Sequence, residues 1–162
     1  ICKQPEWKNF KQVILMNESY RYSHHYYYSQ TISLNQPPPF VNGHFMKLES
    51  DENSETQFLW KYYGRQVDVS DISSDGFLNL FENNEPIGQI LNVVGNYESR
   101  YLLTQKEFFA ARWSLDQNNE TTTIVTNLIY ANGKISVYYD NILSEISEDQ
   151  ISGIRGIFQC ET

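Results

Sequence analysis

The segment "DISSDGFLNLFE", Asp71 to Glu82, is the stretch whose residue types and spacing come nearest to a known chemistry. Counted from Asp71, it sets Asp, Ser, Asp, Gly and Glu at loop positions 1, 3, 5, 6 and 12, with Leu78 at 8. That is the oxygen-ligand pattern of an EF-hand calcium loop, with Asp71, Asp75 and Glu82 as the carboxylate ligands. Such a loop works only between two helices that set the angle of its ligands. Upstream, "YYGRQVDVS" carries Gly64 and alternating β-branched residues; downstream, "NNEPIGQI" puts Pro86 and Gly88 where the exit helix would run. The segment is therefore expected to be a hairpin turning over Ser73 to Gly76, with Phe77, Asn79 and Phe81 on one face of its second strand and Leu78 and Leu80 on the other. A calcium site of another geometry through Asp68, Asp71 or Asp75 stays open beside that reading.

Other chemistry is thin. The histidines are His24, His25 and His44, and adjacent His24 and His25 on a strand point to opposite faces, so they do not jointly chelate a metal without a bulge. No nucleophile elbow, His-Glu-x-x-His or phosphate-cradling glycine loop occurs. No catalytic residue and no cofactor is expected, and carboxylate pairs for glycoside cleavage are the distant alternative. Binding by aromatic side chains has more support. If "YRYSHHYYYS" is one strand, Tyr20, Tyr22, His24, Tyr26 and Tyr28 share a face and Tyr27 lies on the other. That face is either sandwich core with hydroxyls reaching the edge or an exposed tyrosine platform, whose ligand-binding residues would be Tyr22, Tyr26, Tyr27 and Tyr28. An acidic rim of Asp68, Asp71, Asp75 and Glu82 would steer a basic partner.

The elements that position these residues read as strands. Apolar residues recur at period two in short runs divided by turn residues, the signature of antiparallel sheet. "HFMKLE", "TQFLWKYYG", "RQVDVSDI", "EFFAARWSL", "TTTIVTNLIY" and "KISVYYD" are the clearest, with Asn132-Gly133 as a hairpin signal before the last of them and "IRGIFQC" as a final strand. Trp60, Tyr62, Tyr63 and Trp113 are assigned to core or strand-end packing. Two short helices are expected, one in "PEWKNFKQVILM" through Trp7, Phe10 and Ile14, and one in "SEISEDQI". The fold class is thus all-β, an antiparallel β-sandwich of jelly-roll type with one or two short helices, in one domain spanning 1–162.

Composition bounds the setting. A net charge of −8 over 162 residues opposes nucleic-acid backbones and anionic membrane surfaces, and no apolar run approaches the roughly 18 residues of a membrane-spanning helix. The two cysteines, Cys2 and Cys160, stand at the extremities and are read as a disulfide joining the ends of the domain, with two free thiols as the alternative. Sequons at Asn17 ("NES") and Asn119 ("NET") mark glycosylation sites. Together these point to an extracellular or lumenal chain, and the start at Ile1 without a signal pattern reads as a mature chain or an excised ectodomain.

The stretch "FLWKYYGRQVDVSDISSDGFLNL" resembles the aromatic-Gly, strand, Gly-Phe-Ile/Leu pattern of the extracellular domain of plexin domain-containing proteins, the tumour endothelial marker receptors. "AARWSL" and "LIYANGKISVYYDNI" are similar to that domain's Gln-Trp strand and its Asp-Gly-Arg-Ile hairpin, so the likeness runs over 58–158. Elements of this kind also occur in nidogen-type extracellular β domains. The resemblance implies the ectodomain of a single-pass cell-surface receptor, with a nidogen-like matrix protein or a serpin-type secreted factor as partner. The expected function is a non-catalytic extracellular ligand-binding or adhesion module. A structural matrix or lumenal module and a glycan-binding domain are the alternatives, and the sandwich edges would allow a homodimer.

Overall fold

The computed structural model describes residues 10–18, 26–34, 44–49, 53–92, 99–117, 121–140 and 153–156. They form twelve strands: β1 (Phe10–Glu18), β2 (Tyr26–Leu34), β3 (Met46–Lys47), β4 (Asn53–Tyr62), β5 (Arg65–Ile72), β6 (Phe77–Glu82), β7 (Glu85–Leu91), β8 (Ser99–Thr104), β9 (Phe108–Gln117), β10 (Thr121–Tyr130), β11 (Ile135–Asp140) and β12 (Gly153–Gly156). Seven pair in the order β2-β1-β11-β10-β9-β8-β3 and five in the order β12-β7-β6-β5-β4, all antiparallel. The all-β sandwich reading stands. The helix expected within "PEWKNFKQVILM" does not: Phe10 to Glu18 is strand, pairing β2 on one side and β11 on the other. The spacing of Trp7, Phe10 and Ile14 fits a helical stripe, but the run from Phe10 satisfies its backbone in the sheet ladder and buries Ile14 in the core. "SEISEDQI" lies outside the described residues.

One core fills the space between the sheets. The five-stranded sheet contributes Trp60, Tyr62, Val67, Ile72, Leu78, Leu80, Ile87 and Ile90; the seven-stranded sheet contributes Ile14, Phe109, Ala111, Trp113, Val125, Ile129, Ile135, Val137 and Tyr139. Each fully buried aliphatic side chain is worth about 2 kcal/mol of transfer free energy. The assignment of Trp60, Tyr62 and Trp113 to the core is borne out, and Tyr63 turns out of β4 half-buried, with φ +49° and its ring packed edge-on against Tyr62. The imperfect alternation of "RQVDVSDI" has a geometric cause. Val67 is buried, Val69 is half-buried, and Ser70 and Ile72 are buried again, so the inward face shifts by one residue at Asp68. There β4 is also irregular: Glu55 faces Val69 and Trp60 faces Val67, so 56–59 stand opposite Asp68 alone.

The turns follow their residue chemistry. Asn83 and Asn84, at φ +50° and +64°, make the two-residue link between β6 and β7. Asn132-Gly133 does join β10 to β11, through a longer loop in which Gly133 takes φ +86°, the Gly133 amide donates to the Tyr130 carbonyl and the Lys134 amide to Asn132 Oδ1. Between the sheets, two long side chains reach the end of β5: the Trp113 indole donates to the Ser73 carbonyl and Arg100 to the Ile72 carbonyl, each at 2.7 Å. Trp113→Phe removes that donor and leaves a small void, and is expected to cost about 2 to 3 kcal/mol in urea denaturation. A loss under about 0.5 kcal/mol (about half of one ordinary hydrogen bond) would show that the indole contact does not hold the sheets.

Candidate functional site: the outer face of the seven-stranded sheet

Core positions of the seven-stranded sheet alternate with positions on its outer face, and one row of those is unusual. Lys11 faces Tyr138, Tyr138 faces Thr126, Thr126 faces Arg112, Arg112 faces Tyr101 and Tyr101 faces Lys47. At about 4.8 Å per strand, this line of cations, aromatic rings and one hydroxyl runs roughly 24 Å straight across β1, β11, β10, β9, β8 and β3. Lys11 Nζ lies 5.0 Å from the Tyr138 ring centre, Lys134 Nζ lies 4.5 Å from that of Tyr130, and Arg112 stacks 4.1 Å over Phe45. Arg112 Nε donates to Thr126 Oγ1 at 3.1 Å. Lys11, Lys47, Arg112 and Lys134 form no ion pair with a carboxylate among the described residues. Partial burial draws the Arg112 pKa below its ordinary range, with Tyr101 acting the other way; a guanidinium nevertheless stays charged at neutral pH. Beside the row, Leu103, Ala110 and Leu128 pack with Phe45, Phe108, Tyr130 and Tyr138 into a small apolar cluster on the same face. The arrangement is a rigid, half-apolar cationic strip, suited to anionic groups carried on an apolar or ring-bearing partner.

None of these strip residues was singled out by motif reasoning. They sit on six different strands, and only the register lines them up. The one available signal was that Arg112 and Tyr138 alternate with apolar core positions in strands otherwise read correctly.

The residues that the sequence did single out fall elsewhere. The segment Asp71 to Glu82 is the expected hairpin, with Leu78 and Leu80 buried and Phe77, Asn79 and Phe81 half-buried. Strands flank it on both sides, so no helices frame an EF-hand. Its turn oxygens are taken up internally: the Phe77 carbonyl accepts from the Ser73 amide, the Ser73 carbonyl from the Gly76 amide and Trp113, and the Gly76 carbonyl from Asn92 through both its backbone amide and Nδ2. Asp71 Oδ2 accepts from Asn79 Nδ2 at 3.0 Å, and Asn79 Oδ1 accepts from Gln89 Nε2 at 2.8 Å, a ladder across β5, β6 and β7. Asp75 is exposed in the turn, where its amide donates to Ser73 Oγ. Glu82 faces Arg65 at 3.6 Å, at the far end of β6. Asp71, Asp75 and Glu82 are thus strung along the hairpin, and among the described residues no three His, Cys, Asp or Glu side chains gather around a metal position.

Tyr26, Tyr27 and Tyr28 lie on β2, the end strand of its sheet among the described residues, opposite Glu18, Asn17 and Met16. Asn17, one of the two sequons, is therefore a strand residue of β1. Tyr22, Asn119, Cys2 and Cys160 lie outside the described residues, as do His24 and His25, while His44 is exposed.

The fold and this face define a two-sheet antiparallel β-sandwich with a cationic, aromatic strip on its larger sheet. No protein-family model, no curated protein and no solved structure matches the chain.

Beside the strip, Tyr130 has its pKa raised, first by burial and then by the neighbouring Tyr138, against the lowering effect of Lys11. A folded-state pKa above the unfolded one means that the unfolded chain loses its proton first. Tyr130 therefore contributes stability that is fully present below the unfolded tyrosine pKa of about 10 and is lost as pH rises through the higher folded value. Urea denaturation from neutral to strongly alkaline pH is expected to show a decline beginning near pH 10 that is shallower in Tyr130→Phe. Identical declines in both proteins would remove Tyr130 from the account.

Proposed function

We propose that this chain is a non-catalytic extracellular binding module that engages an acidic face of a secreted or matrix protein through the strip from Lys11 to Lys47. The observation that carries the reading is the register row itself. In a chain of net charge −8, cations and rings share one line across six strands, with no carboxylate paired to them among the described residues. Such a strip favours an acidic partner at contact, through cations that act within a Debye length and a guanidinium whose apolar surroundings strengthen its hydrogen bonds. The likeness of 58–158 to plexin domain-containing ectodomains supports the receptor part of the reading, and the sequons at Asn17 and Asn119 with Cys2 and Cys160 support the compartment. On this reading the module belongs to a cell-surface receptor, and a nidogen-like or serpin-type protein is the first partner to try.

The test is a binding screen of the oxidised, glycosylated protein against secreted and basement-membrane proteins at low and high salt. A saturable complex that weakens as salt rises, and about tenfold or more with Arg112→Gln, is the expected result. Lys47→Ser, exposed and away from the core, should weaken it less. A complex indifferent to salt and to both substitutions, or no complex with any protein of the panel, would overturn the assignment.

A further inference from the structure

Arg112 is the most closely held cation of the strip, and its surroundings select for more than charge. Its Nε donates to Thr126 Oγ1 at 3.1 Å, and its Cζ lies 4.1 Å from the centre of the Phe45 ring. Thr126 is only 1% exposed, so the hydroxyl that holds Nε is itself fixed in the sheet. Both contacts leave Nη1 and Nη2 over. Neither has a protein partner among the described residues, and neither is sealed from solvent. With Nε engaged, the fork of Nε and one Nη is used up, and an incoming oxyanion is taken end-on by the two Nη groups.

The surfaces beside those groups bear on what carries the oxyanion. Tyr101, half-buried, lies directly opposite Arg112 on β8, and Tyr138, also half-buried, lies two strand spacings to the other side, about 9.6 Å away. Phe45 continues the apolar surface into the cluster of Leu103, Ala110 and Leu128. A short aliphatic carboxylate that reached the Nη pair would leave these rings facing water. An aromatic group bearing the charge covers them while its oxyanion meets the guanidinium.

We infer that Arg112 receives an oxyanion carried on an aromatic ring, the group that a sulfated or phosphorylated tyrosine of the acidic partner presents. This rests on the reading of the strip as the surface that binds such a partner. It makes Thr126 a positioning residue, whose hydroxyl sets the direction in which the Nη pair points. Between the two sources, a sulfate ester suits the site better. It carries a single charge, and a partly buried guanidinium meets a singly charged anion at a lower desolvation cost than a phosphate close to its dianion.

The experiment is an NMR titration of the whole 162-residue protein with the N-acetyl amides of O-sulfotyrosine, O-phosphotyrosine, tyrosine and aspartate. It reads the Arg112 Nε–H resonance, assigned by its loss in Arg112→Lys, and the backbone amides of Phe45 and Tyr101. Saturable shifts in the millimolar range are expected with both esters, about threefold to tenfold weaker binding with aspartate, and no response with tyrosine. Tighter binding of the sulfate assigns the partner group to tyrosine sulfate, and the reverse order assigns it to tyrosine phosphate. Thr126→Val removes the acceptor of Nε and should weaken the sulfated compound about threefold or more, whereas Thr126→Ser keeps the hydroxyl and should bind as the parent does. Arg112→Lys keeps the charge without the fork and should weaken it about tenfold. Aspartate binding as tightly as the sulfated compound, or a response at Phe45 and Tyr101 unchanged in Arg112→Lys, overturns the inference. So does silence toward all three anions, and the acidic-partner reading falls with it only if the protein panel also yields no salt-sensitive complex.

Discussion

The contact on which most of this structure depends is the pair of hydrogen bonds from the larger sheet to the end of β5. Arg100 and Trp113 face each other on β8 and β9, and they donate to the consecutive carbonyls of Ile72 and Ser73. Strands end by leaving carbonyls without ladder partners, and burying such groups unpaired costs about 1 to 3 kcal/mol each. Here long side chains of the facing sheet satisfy both, so the hairpin of β5 and β6 is fixed against the other layer at one point. From the opposite side the buried Asn92 holds the Gly76 carbonyl. The turn from Ser73 to Gly76 is a node where three parts of the chain meet.

That node explains why a calcium-like sequence makes a hairpin. Ser, Asp and Gly in close succession serve equally to offer oxygens to a cation and to bend a chain tightly. What differs is where the main-chain oxygens go. In this fold the carbonyls of Ile72, Ser73, Gly76 and Phe77 all have protein donors, and the remaining acids are spread along a strand with their own neighbours. The same principle orders the outer surfaces. The acids of the smaller sheet are mostly paired to amides or to Arg65, whereas Lys11, Arg112 and Lys134 on the face of the larger sheet rest on aromatic rings, which leave their charge available.

Much of the fold was legible because strands announce themselves by alternation. The patterns ending in Ile72, Tyr130 and Asp140 coincide with strand ends, and the turn residues Gly76 and Gly133 take the positive φ expected of them. The failure at Phe10 to Glu18 has a physical cause. Four consecutive apolar residues carry no decisive period, and the central place of β1 between β2 and β11 was decided by pairing over long sequence distances. The cationic strip was illegible for a related reason. Its members lie on six strands, and no local spacing connects Lys11 to Arg112 or Lys47. The bulge in β4 is a register event that the disturbed alternation around Asp68 hinted at without locating.

The bulge at 56–59 also bears on how the molecule behaves in a crowd. β4 is the last strand of its sheet among the described residues, and a regular edge of ten residues would offer a straight row of amides and carbonyls to any passing strand. Four residues set against one break that row in its middle, so a second chain cannot zip along it in register. The irregularity thereby acts as a guard against aggregation, and a substitution that straightened β4 would open this edge to indiscriminate self-pairing.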